Sequence, residues 1–202
     1  MTLLFLLVAA VGGYFLGSVP FGLVLVRLAG LGDIRDIGSK SIGATNVLRT
    51  GRKDLALATL LLDAGKGGIA VLLARYFFGE TAALIAGVAA FAGHCWPIWL
   101  GFKGGKGFAT YLGTLFAFNF IVALLVCLTW AVVAFARRYS SLSALSAAAA
   151  APVFAWIWSG PYLSAACAVI SIFLYYRHKE NILRLMNGTE PKIGGEKSQS
   201  AS

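Results

Sequence analysis

Long apolar segments separated by short basic ones constrain the fold of this chain more than any other feature. They cover residues 3–28, 55–78, 82–100, 108–136, 142–158 and 162–176. A helix needs about 17 to 25 apolar residues to cross a bilayer, and nearly all of these segments reach that length. Hydrophobic residues make up 59% of the chain, well above the fraction in ordinary soluble domains. The sequence therefore predicts an all-α fold, a polytopic helical bundle integral to a membrane.

The number of crossings depends on residues 108–136, which could form one tilted span or two short spans broken near Asn119. Positive charges decide between the two, because the cytoplasmic loops of membrane proteins are enriched in Lys and Arg. Of the 17 Lys and Arg residues, all but Arg75 lie in or near residues 27–66, 103–106, 137–138 and 177–197. Two crossings put these clusters on one face. We therefore expect about seven transmembrane helices, with the N-terminus outside and the C-terminus in the cytoplasm.

Charge and cysteine content limit the expected partners. The net charge of +9 is not accompanied by the aromatic and basic surface that binds nucleic acid, so we expect no nucleic-acid partner. Membrane lipid and phosphate compounds are the expected partners of these bases. The three cysteines form no metal-binding spacing, and the sequence predicts neither a metal nor a cofactor. We expect one transmembrane domain over residues 1–187 and a polar, mobile tail over residues 188–202.

A loop rich in glycine and lysine lies between two apolar segments and has the sequence GFKGGKG over residues 101–107. Such irregular, charged backbone is tolerated at membrane depth only where protein or water surrounds it, so the loop indicates a site. Its backbone N–H groups and its ammonium groups could converge on one phosphate. A nucleotide-binding P-loop is excluded, because glycine and not Ser or Thr follows the second lysine. The candidate substrate-binding residues of this loop are Lys103, Gly104, Gly105, Lys106 and Gly107.

Two further polar segments are expected on the same cytoplasmic face. The segment after the first span offers Ser39, Asn46 and Arg49 as hydrogen-bonding groups, and Arg49 can bind phosphate oxygens through two parallel hydrogen bonds. In the segment after the last span, His178 and Asn181 are three positions apart and therefore share a helical face. Because these segments and the glycine loop meet at one face of the membrane, we predict a single composite site.

Other polar residues admit two interpretations. His94 is either a structural residue or a part of the site. Ser141, at the start of an apolar segment, could cap a helix or face a substrate. Asp63 and Lys66 are three positions apart, which indicates a structural ion pair inside the second span, with support of the site as the second interpretation.

Five blocks of the sequence occur in an order typical of one family of bacterial enzymes. They are GSVPFG (17–22), DIRDIGSKSIGATNVLR (33–49), GHCWPIWLGFKGGKGFAT (93–110), RRYSSL (137–142) and RHKENILRLMNGTEPK (177–192). Together they resemble the successive motifs of the acyl-phosphate:glycerol-3-phosphate acyltransferases, the PlsY family. Within these blocks, FKGGKG and IGATN are highly specific. One departure is Lys40-Ser41, which stands where the family usually has glycine and asparagine.

The resemblance implies a multi-pass enzyme of the bacterial inner membrane with its active site facing the cytoplasm. The enzyme would transfer a fatty acyl group from acyl phosphate to the 1-hydroxyl of sn-glycerol 3-phosphate, giving lysophosphatidate and phosphate, and would have the acyl-phosphate-forming enzyme as a functional neighbour. The residues that the resemblance places in the site are His178, Asn181, Ser39 and Arg49 for catalysis, and Lys106 with its neighbouring glycines and Ser141 for substrate binding. Lys103, Asn46 and His94 complete the predicted substrate-binding set.

The expected chemistry needs little more than positioning and charge. Acyl phosphate is a mixed anhydride with a good leaving group, so the enzyme has to orient a hydroxyl and stabilise negative charge. The hydroxyl proton could pass to His178 or to a phosphate oxygen of the substrate, whose second pKa is about 6, and we favour the phosphate. The alternative function is a membrane transporter of a phosphorylated anion. The absence of a clear inverted repeat and the placement of polar groups on one face favour the enzyme.

Overall fold

The computed structural model describes residues 2–194, and that part of the chain contains ten α-helices and no β-strand. The helices are α1 (Leu3–Gly17), α2 (Phe21–Leu28), α3 (Ala44–Val47), α4 (Lys53–Phe78), α5 (Glu80–Cys95), α6 (Phe108–Phe118), α7 (Phe120–Arg137), α8 (Ser140–Ser159), α9 (Pro161–Arg177) and α10 (Lys179–Met186). The predicted all-α class is confirmed. Residues 195–202 of the predicted tail lie outside the described residues.

Five helical stretches in residues 2–194 are long and apolar enough to cross a membrane. They are Leu3–Leu28, Lys53–Phe78, Glu80–Leu100, Phe120–Arg137 and Ser140–Ser159. The first of these joins α1 and α2. Helices α6 and α9 are shorter, with 11 and 17 residues. The architecture is that of a multi-pass helical membrane bundle.

The predicted break near Asn119 is confirmed, because α6 ends at Phe118 and α7 begins at Phe120. Asn119 caps α7: its Oδ1 accepts a hydrogen bond from the N–H of Val122 at 3.1 Å. Its Nδ2 group donates to the hydroxyl oxygen of Ser159 at 2.8 Å. The turn between α6 and α7 therefore lies beside the turn between α8 and α9.

Contacts between helix ends show which parts of the chain share one end of the bundle. Near the N-terminus, Phe5 stacks on Phe78 at the end of α4, with 5.2 Å between ring centroids. Arg75 donates to the carbonyl oxygen of Ala117, near the end of α6, at 2.6 Å. The opposite end, which we call the loop end, contains the segments that follow α2, α5, α7 and α9. All the predicted polar segments therefore lie at the loop end.

Small residues bring the helices into close contact. On α6, a methyl group added at Gly113 would overlap the carbonyl oxygen of Ala64 on α4. On α1, a methyl group at Gly17 would overlap the carbonyl oxygen of Ala90 on α5. Helices in lipid associate through such close backbone approach, because lipid tails provide no hydrophobic drive for helix association. The backbones of α4 and α6, and those of α1 and α5, are therefore closely packed.

Candidate active site

The first polar loop is organised around Asn46, which is buried on α3. Its Nδ2 group donates to the carbonyl oxygens of Ile34 (2.9 Å), Ile37 (3.0 Å) and Ser41 (2.8 Å). Its Oδ1 accepts a hydrogen bond from the N–H of Ser39 at 3.0 Å. These contacts use both the donor and the acceptor side of the amide. In the structure its side chain therefore holds the loop together, and its contact with substrate stays a prediction.

Arg49 lies across the turn at Gly38, beside Ser39. Gly38 has a φ of +56°, and a Cβ atom there would come within 2.5 Å of Nη1 of Arg49. Glycine therefore allows both the left-handed turn and the close approach of the guanidinium group. In the same loop, Oγ1 of Thr45 is 3.3 Å from Oγ of Ser140, at the start of α8. This contact joins the first polar loop to the segment that follows α7.

The glycine loop is bound to neighbouring helices through its backbone. The N–H groups of Gly104 and Gly105 donate to the carbonyl oxygens of Cys95 (3.1 Å) and His94 (3.0 Å), at the end of α5. The carbonyl oxygens of these glycines accept hydrogen bonds from Arg177, at 2.9 Å and 3.1 Å respectively. Both amides therefore have protein acceptors in this structure, and both glycines allow close packing. Binding of phosphate at Gly104 and Gly105 stays a prediction.

The N–H groups of the glycine loop that remain available to an anion follow directly after Gly105. Among residues 2–194, the N–H groups of Lys106 and Gly107 donate to no protein acceptor. Gly107, with a φ of +84°, leads directly into α6. The first-turn N–H groups of a helix have no acceptor within the helix, so they stay available to an anion. The start of α6 therefore provides the donors that the sequence analysis expected from Gly104 and Gly105.

Lys106 is the lysine that the glycine loop presents to the other polar segments. Burial lowers its pKa to about 8; the charge of Glu190 opposes this change, while those of Arg184 and Arg49 add to it. The ammonium group remains a cation near pH 7. Lys103, in contrast, is exposed, and its side chain forms no polar contact within the described part of the chain. The structure therefore brings Lys106, and not Lys103, to the site.

His178 connects α9 to α10. Its Nδ1 atom is 2.8 Å from the carbonyl oxygen of Leu174, which fixes the hydrogen on Nδ1 and leaves Nε2 as an acceptor. Burial, followed by the positive charge of Lys106, lowers the pKa of His178 to about 4. The imidazole is therefore neutral near pH 7 and can accept a hydrogen bond through Nε2.

Glu190 connects three other polar side chains of the site. Its Oε1 accepts hydrogen bonds from Oγ of Ser141 and Nδ2 of Asn181, both at 2.6 Å. Its Oε2 accepts a hydrogen bond from Nε of Arg184 at 2.7 Å. Burial alone would raise the pKa of Glu190, but these hydrogen bonds lower it below its ordinary value. The side chain is a carboxylate that fixes the positions of the three donors.

Two of the predicted site residues, Ser141 and Asn181, donate hydrogen bonds to Glu190. The N-cap of α8 is Tyr139, so the cap interpretation of Ser141 is wrong, and its hydroxyl binds the carboxylate instead. Asn181 donates to the same carboxylate, while its Oδ1 is buried and has no protein partner among residues 2–194. That oxygen is available to accept a hydrogen bond from a ligand.

Glu190 was not among the predicted site residues and lay in the predicted polar tail. Its partner Ser141 is 49 positions away in the chain, so the contact is not visible in the local sequence. The signal that could have identified Glu190 is its place in the fifth motif block, residues 177–192. Its charge also opposes the positive charges of Arg184 and Arg49 beside Lys106.

His94 lies beneath the glycine loop, in contact with Gly104 and Gly105. Its side chain is 3% exposed, and its Nδ1 atom is 2.9 Å from Nζ of Lys66. Nζ of Lys66 is in turn 2.7 Å from Oδ1 of Asp63, which confirms the predicted ion pair between these two residues. The structure therefore places His94 in a buried polar cluster and does not expose it to a substrate.

A small apolar cavity lies inside the bundle between α5, α6 and α9. Its lining includes Val88, Tyr111, Leu115, Phe118 and Ile170. Tyr111 is five residues after Lys106, so this part of the lining lies more than one turn of α6 below the loop end. Most of the other lining residues lie further from the loop end, near the start of α5 and of α9.

A membrane bundle with cationic and polar groups gathered at one end fits a class of membrane protein that handles phosphate compounds. A sequence profile described as "Glycerol-3-phosphate acyltransferase" matches residues 7–188. The chain belongs to this family of integral membrane enzymes, and the resemblance noted from its motifs is confirmed.

Similar proteins support this assignment over the full length of the chain. A "Glycerol-3-phosphate acyltransferase" of Maricaulis maris is 57% identical over 201 residues, which cover 100% of this chain and 93% of that protein. One from Paramagnetospirillum magneticum is 60% identical and covers 95% of this chain and 96% of its own.

Two crystal structures of PlsY (YgiH), described as an integral membrane glycerol 3-phosphate acyltransferase, share the fold. The glycerol 3-phosphate form has a TM-score of 0.89 and 38% identity, covering 94% of this chain and 96% of the other. The lysophosphatidic acid form has a TM-score of 0.86 and 37% identity, covering 93% and 94%.

Proposed function

We propose that this protein transfers the acyl group of acyl phosphate to the 1-hydroxyl of sn-glycerol 3-phosphate. The observation that carries the proposal is the meeting of Lys106 and Arg49 with the pair His178 and Asn181 at the loop end. Two substrates that each carry a phosphate need two cationic contacts, and the attacking hydroxyl needs acceptors between them. The products are lysophosphatidate and phosphate.

On the donor side, we assign acyl phosphate to Lys106 and the first turn of α6. The N–H groups there have no acceptor within the helix, and the positive end of the helix dipole favours an anion. The acyl chain would extend from the loop end along the apolar helices, whose lipid-facing side chains include many exposed hydrophobic residues. This placement explains why the enzyme is a membrane protein, since the donor is an amphiphile.

On the acceptor side, we assign the phosphate of glycerol 3-phosphate to Arg49 and Ser39. Among the described residues, the hydroxyl of Ser39 has no protein partner, and Ser39 follows Gly38, whose backbone lies close to the guanidinium group of Arg49. Nε2 of His178 and Oδ1 of Asn181 are both acceptors without a protein partner in residues 2–194. They would hold the hydroxyl hydrogens of the glycerol part and orient its 1-hydroxyl.

The reaction is a direct acyl transfer without a covalent enzyme intermediate. The 1-hydroxyl oxygen attacks the acyl carbonyl carbon, a new carbon–oxygen bond forms, and the bond between that carbon and the phosphate oxygen breaks. The hydroxyl proton ends on the released phosphate. A histidine with a pKa of about 4 accepts a hydrogen bond but is a weak base at neutral pH, whereas phosphate has a second pKa of about 6. We therefore assign the proton to the phosphate and a positioning role to His178.

We further propose seven membrane crossings, with the N-terminus outside and the loop end in the cytoplasm of a bacterium, at its inner membrane. The contacts that place the N-terminus beside the turns after α4, α6 and α8 support this topology, as do the bases at the loop end. A label near Ser159 and Gly160 should react only from outside. Reaction from the cytoplasmic side would contradict seven crossings.

We also infer two features of the wider system. The transferase domain covers residues 1–187, and Glu190 extends its site into the segment that follows. Acyl phosphate is a reactive anhydride, so an enzyme that forms it has to supply the donor, and we propose that enzyme as a functional neighbour.

A two-substrate assay of the purified protein tests the proposed function. Phosphate release and lysophosphatidate formation should require both acyl phosphate and glycerol 3-phosphate. The second candidate, a transporter of a phosphorylated anion, is suggested by the cationic pocket alone. It predicts uptake of glycerol 3-phosphate into vesicles without chemistry. Uptake in the absence of lysophosphatidate formation would refute the transferase.

A further inference from the structure

The segment that follows α10, residues 188–194, returns to the turn between α7 and α8, and we call it the C-terminal strap. Near its start, the N–H of Glu190 donates to the carbonyl oxygen of Arg184 at 3.2 Å. Near its end, the N–H of Ile193 donates to the carbonyl oxygen of Arg138 at 2.6 Å. The strap is therefore fastened at both ends, and the carboxylate of Glu190 belongs to it.

Three contacts join the strap to residues 138–141, and all three share one register. The pairs are Ile193 with Arg138, Lys192 with Tyr139, and Glu190 with Ser141. Each step forward along residues 138–141 is matched by one step back along the strap, so the two segments run antiparallel. A shift by one residue moves an extended chain by about 3.3 Å. Such a shift would break the hydrogen bond between Ser141 and Glu190.

Pro191 makes the strap stiff between Glu190 and Ile193. The ring of a proline fixes its own φ, and the residue before a proline is restricted to extended conformations. Few backbone angles are therefore free between the carboxylate of Glu190 and the contact at Ile193. The position of Ile193 consequently controls the position of that carboxylate.

Arg138 holds Ile193 from two directions. Besides accepting the hydrogen bond from the N–H of Ile193, it donates to the carbonyl oxygen of Ile193 through Nη2 at 3.0 Å and through Nε at 3.3 Å. Arg138 ends α7 with a φ of +61°, a left-handed conformation that glycine or asparagine usually takes at a helix end. Glycine would end the helix with less steric cost. The guanidinium contact gives arginine a use at this position that glycine lacks.

We propose that Arg138 is a positioning residue for the acceptor substrate. It holds Ile193, the stiff strap sets the carboxylate of Glu190, and Glu190 accepts a hydrogen bond from Nδ2 of Asn181 at 2.6 Å. This chain of contacts orients Oδ1 of Asn181, the acceptor assigned to a glycerol hydroxyl. The inference rests on the proposed function, because it takes Asn181 as a group that orients glycerol 3-phosphate. Arg138 itself is exposed and acts through the strap.

The variant Arg138→Gly separates positioning from helix capping. Glycine takes the left-handed conformation without a steric cost, so α7 should end as before and the melting temperature should stay close to that of the wild type. The strap loses the guanidinium contact, so its register is less well defined. We expect the KM for glycerol 3-phosphate to be about threefold to fivefold higher. Arg138→Lys keeps a donor for the carbonyl oxygen of Ile193 and should recover part of this loss.

Arg137→Ala is the matched control. Arg137 is the neighbouring residue, is exposed, and carries the same charge, but its side chain forms no hydrogen bond or ion pair in the part of the chain that the structure describes. Arg137→Ala and Arg138→Gly each remove one positive charge from the same end of α7. The KM of the control should stay within about 1.5-fold of the wild type, because salt screens exposed charges.

A double variant tests the route through Glu190. Arg138→Gly should raise the KM for glycerol 3-phosphate by a smaller factor in the Glu190→Gln background than in the wild type, because Asn181 has already lost its anchor there. Residues that act independently would give the same factor in both backgrounds. The single variants at positions 137 and 138 need no change at Glu190, so they test the proposal without a destabilised background.

Equal KM values for Arg138→Gly and Arg137→Ala would overturn the positioning role. A lower melting temperature with an unchanged KM would also overturn it, as would equal KM values for the glycine and lysine variants, or the same factor in both backgrounds. Wild-type protein that forms no lysophosphatidate would instead refute the proposed function, which keeps the two failures distinct.

Discussion

Glutamine in place of Glu190 should loosen the acceptor side of the site and destabilise the fold. Glu190 is 7% exposed and accepts hydrogen bonds on both carboxylate oxygens. Glutamine keeps the size of the side chain but replaces one oxygen with an NH2 group. In one orientation this group faces Nε of Arg184, and in the other it faces Ser141 and Asn181. At least one donor therefore loses its acceptor in either orientation.

The size of the effect follows from these contacts. A hydrogen bond to a charged group contributes about 1.5 to 3 kcal/mol. Arg184 is 33% exposed, so solvent replaces part of its loss. We expect Glu190→Gln to lower the free energy of unfolding by about 2 to 3 kcal/mol. For a chain of this size the melting temperature should fall by roughly 5 to 10 °C.

The assay compares melting temperature and kcat/KM for Glu190→Gln and for the control Glu180→Gln. Glu180 is an exposed carboxylate on α10, so the same substitution there should change stability by less than about 0.5 kcal/mol. For Glu190→Gln, kcat/KM for glycerol 3-phosphate should also fall, because Asn181 loses its anchor. Equal melting temperatures for the two variants would refute the proposed role of the Glu190 network.

The pH dependence gives an independent check. The folded protein lowers the pKa of Glu190, so the stabilisation is fully present above the ordinary glutamate value of about 4.3. It is lost as the pH falls through the lower pKa of the folded state. The difference in melting temperature between wild type and Glu190→Gln should therefore shrink below about pH 4. A constant difference down to pH 3 would contradict the ionised state of Glu190.

Three further predictions concern the loop end. The cation of Lys106 is lost as the pH rises through about 8. The wild-type kcat/KM for acyl phosphate should therefore fall near that pH, and Lys106→Arg should move the decline to higher pH. An unchanged pH profile in the variant would contradict the role of the charge. For His178→Ala we expect lower activity with a residual rate whose pH profile over roughly pH 5 to 9 still follows the substrate phosphate; loss of the rising limb near neutrality would instead make His178 the base. Gly104→Leu should lower the melting temperature strongly, because a Cβ atom there would overlap the carbonyl oxygen of His94; full stability with a raised KM for acyl phosphate would restore the original interpretation of that glycine as a phosphate ligand.

The fold could be predicted well from the sequence. The length of each apolar segment and the positions of the charged segments between them can be read directly from short stretches of sequence. The break at Asn119 could be anticipated from the length of the segment and from the charge of the following loop. The family could be recognised for a similar reason, since each of its blocks is a continuous stretch of sequence.

The roles of single residues were harder to predict, because they depend on contacts across the chain. Asn46 was expected to bind substrate, yet its amide is used by the backbone of its own loop. Gly104 and Gly105 fit a phosphate-binding pattern, but the chain folds back on α5 and uses their N–H groups there. A glycine that allows a close approach cannot be distinguished in the sequence from one that binds an anion.

One departure from the family pattern has a local physical explanation. Lys40 has a φ of +55°, a left-handed conformation that favours glycine, the residue usual in the family at this position. The side chain is exposed, so lysine meets no steric obstacle beyond its own backbone. The sequence alone gave no reason for the family's glycine, since backbone angles are not visible in it.

Arg177 and His178 are neighbours in the chain, yet they serve the two sides of the site. Arg177 holds the carbonyl oxygens of the glycine loop, and His178 presents Nε2 toward the acceptor side. Consecutive Cα atoms are about 3.8 Å apart across a trans peptide. A change in bilayer thickness that tilts α9 would therefore move both contacts as one unit. A single peptide bond at the end of α9 therefore joins the residue that holds the glycine loop to the residue proposed to orient the acceptor.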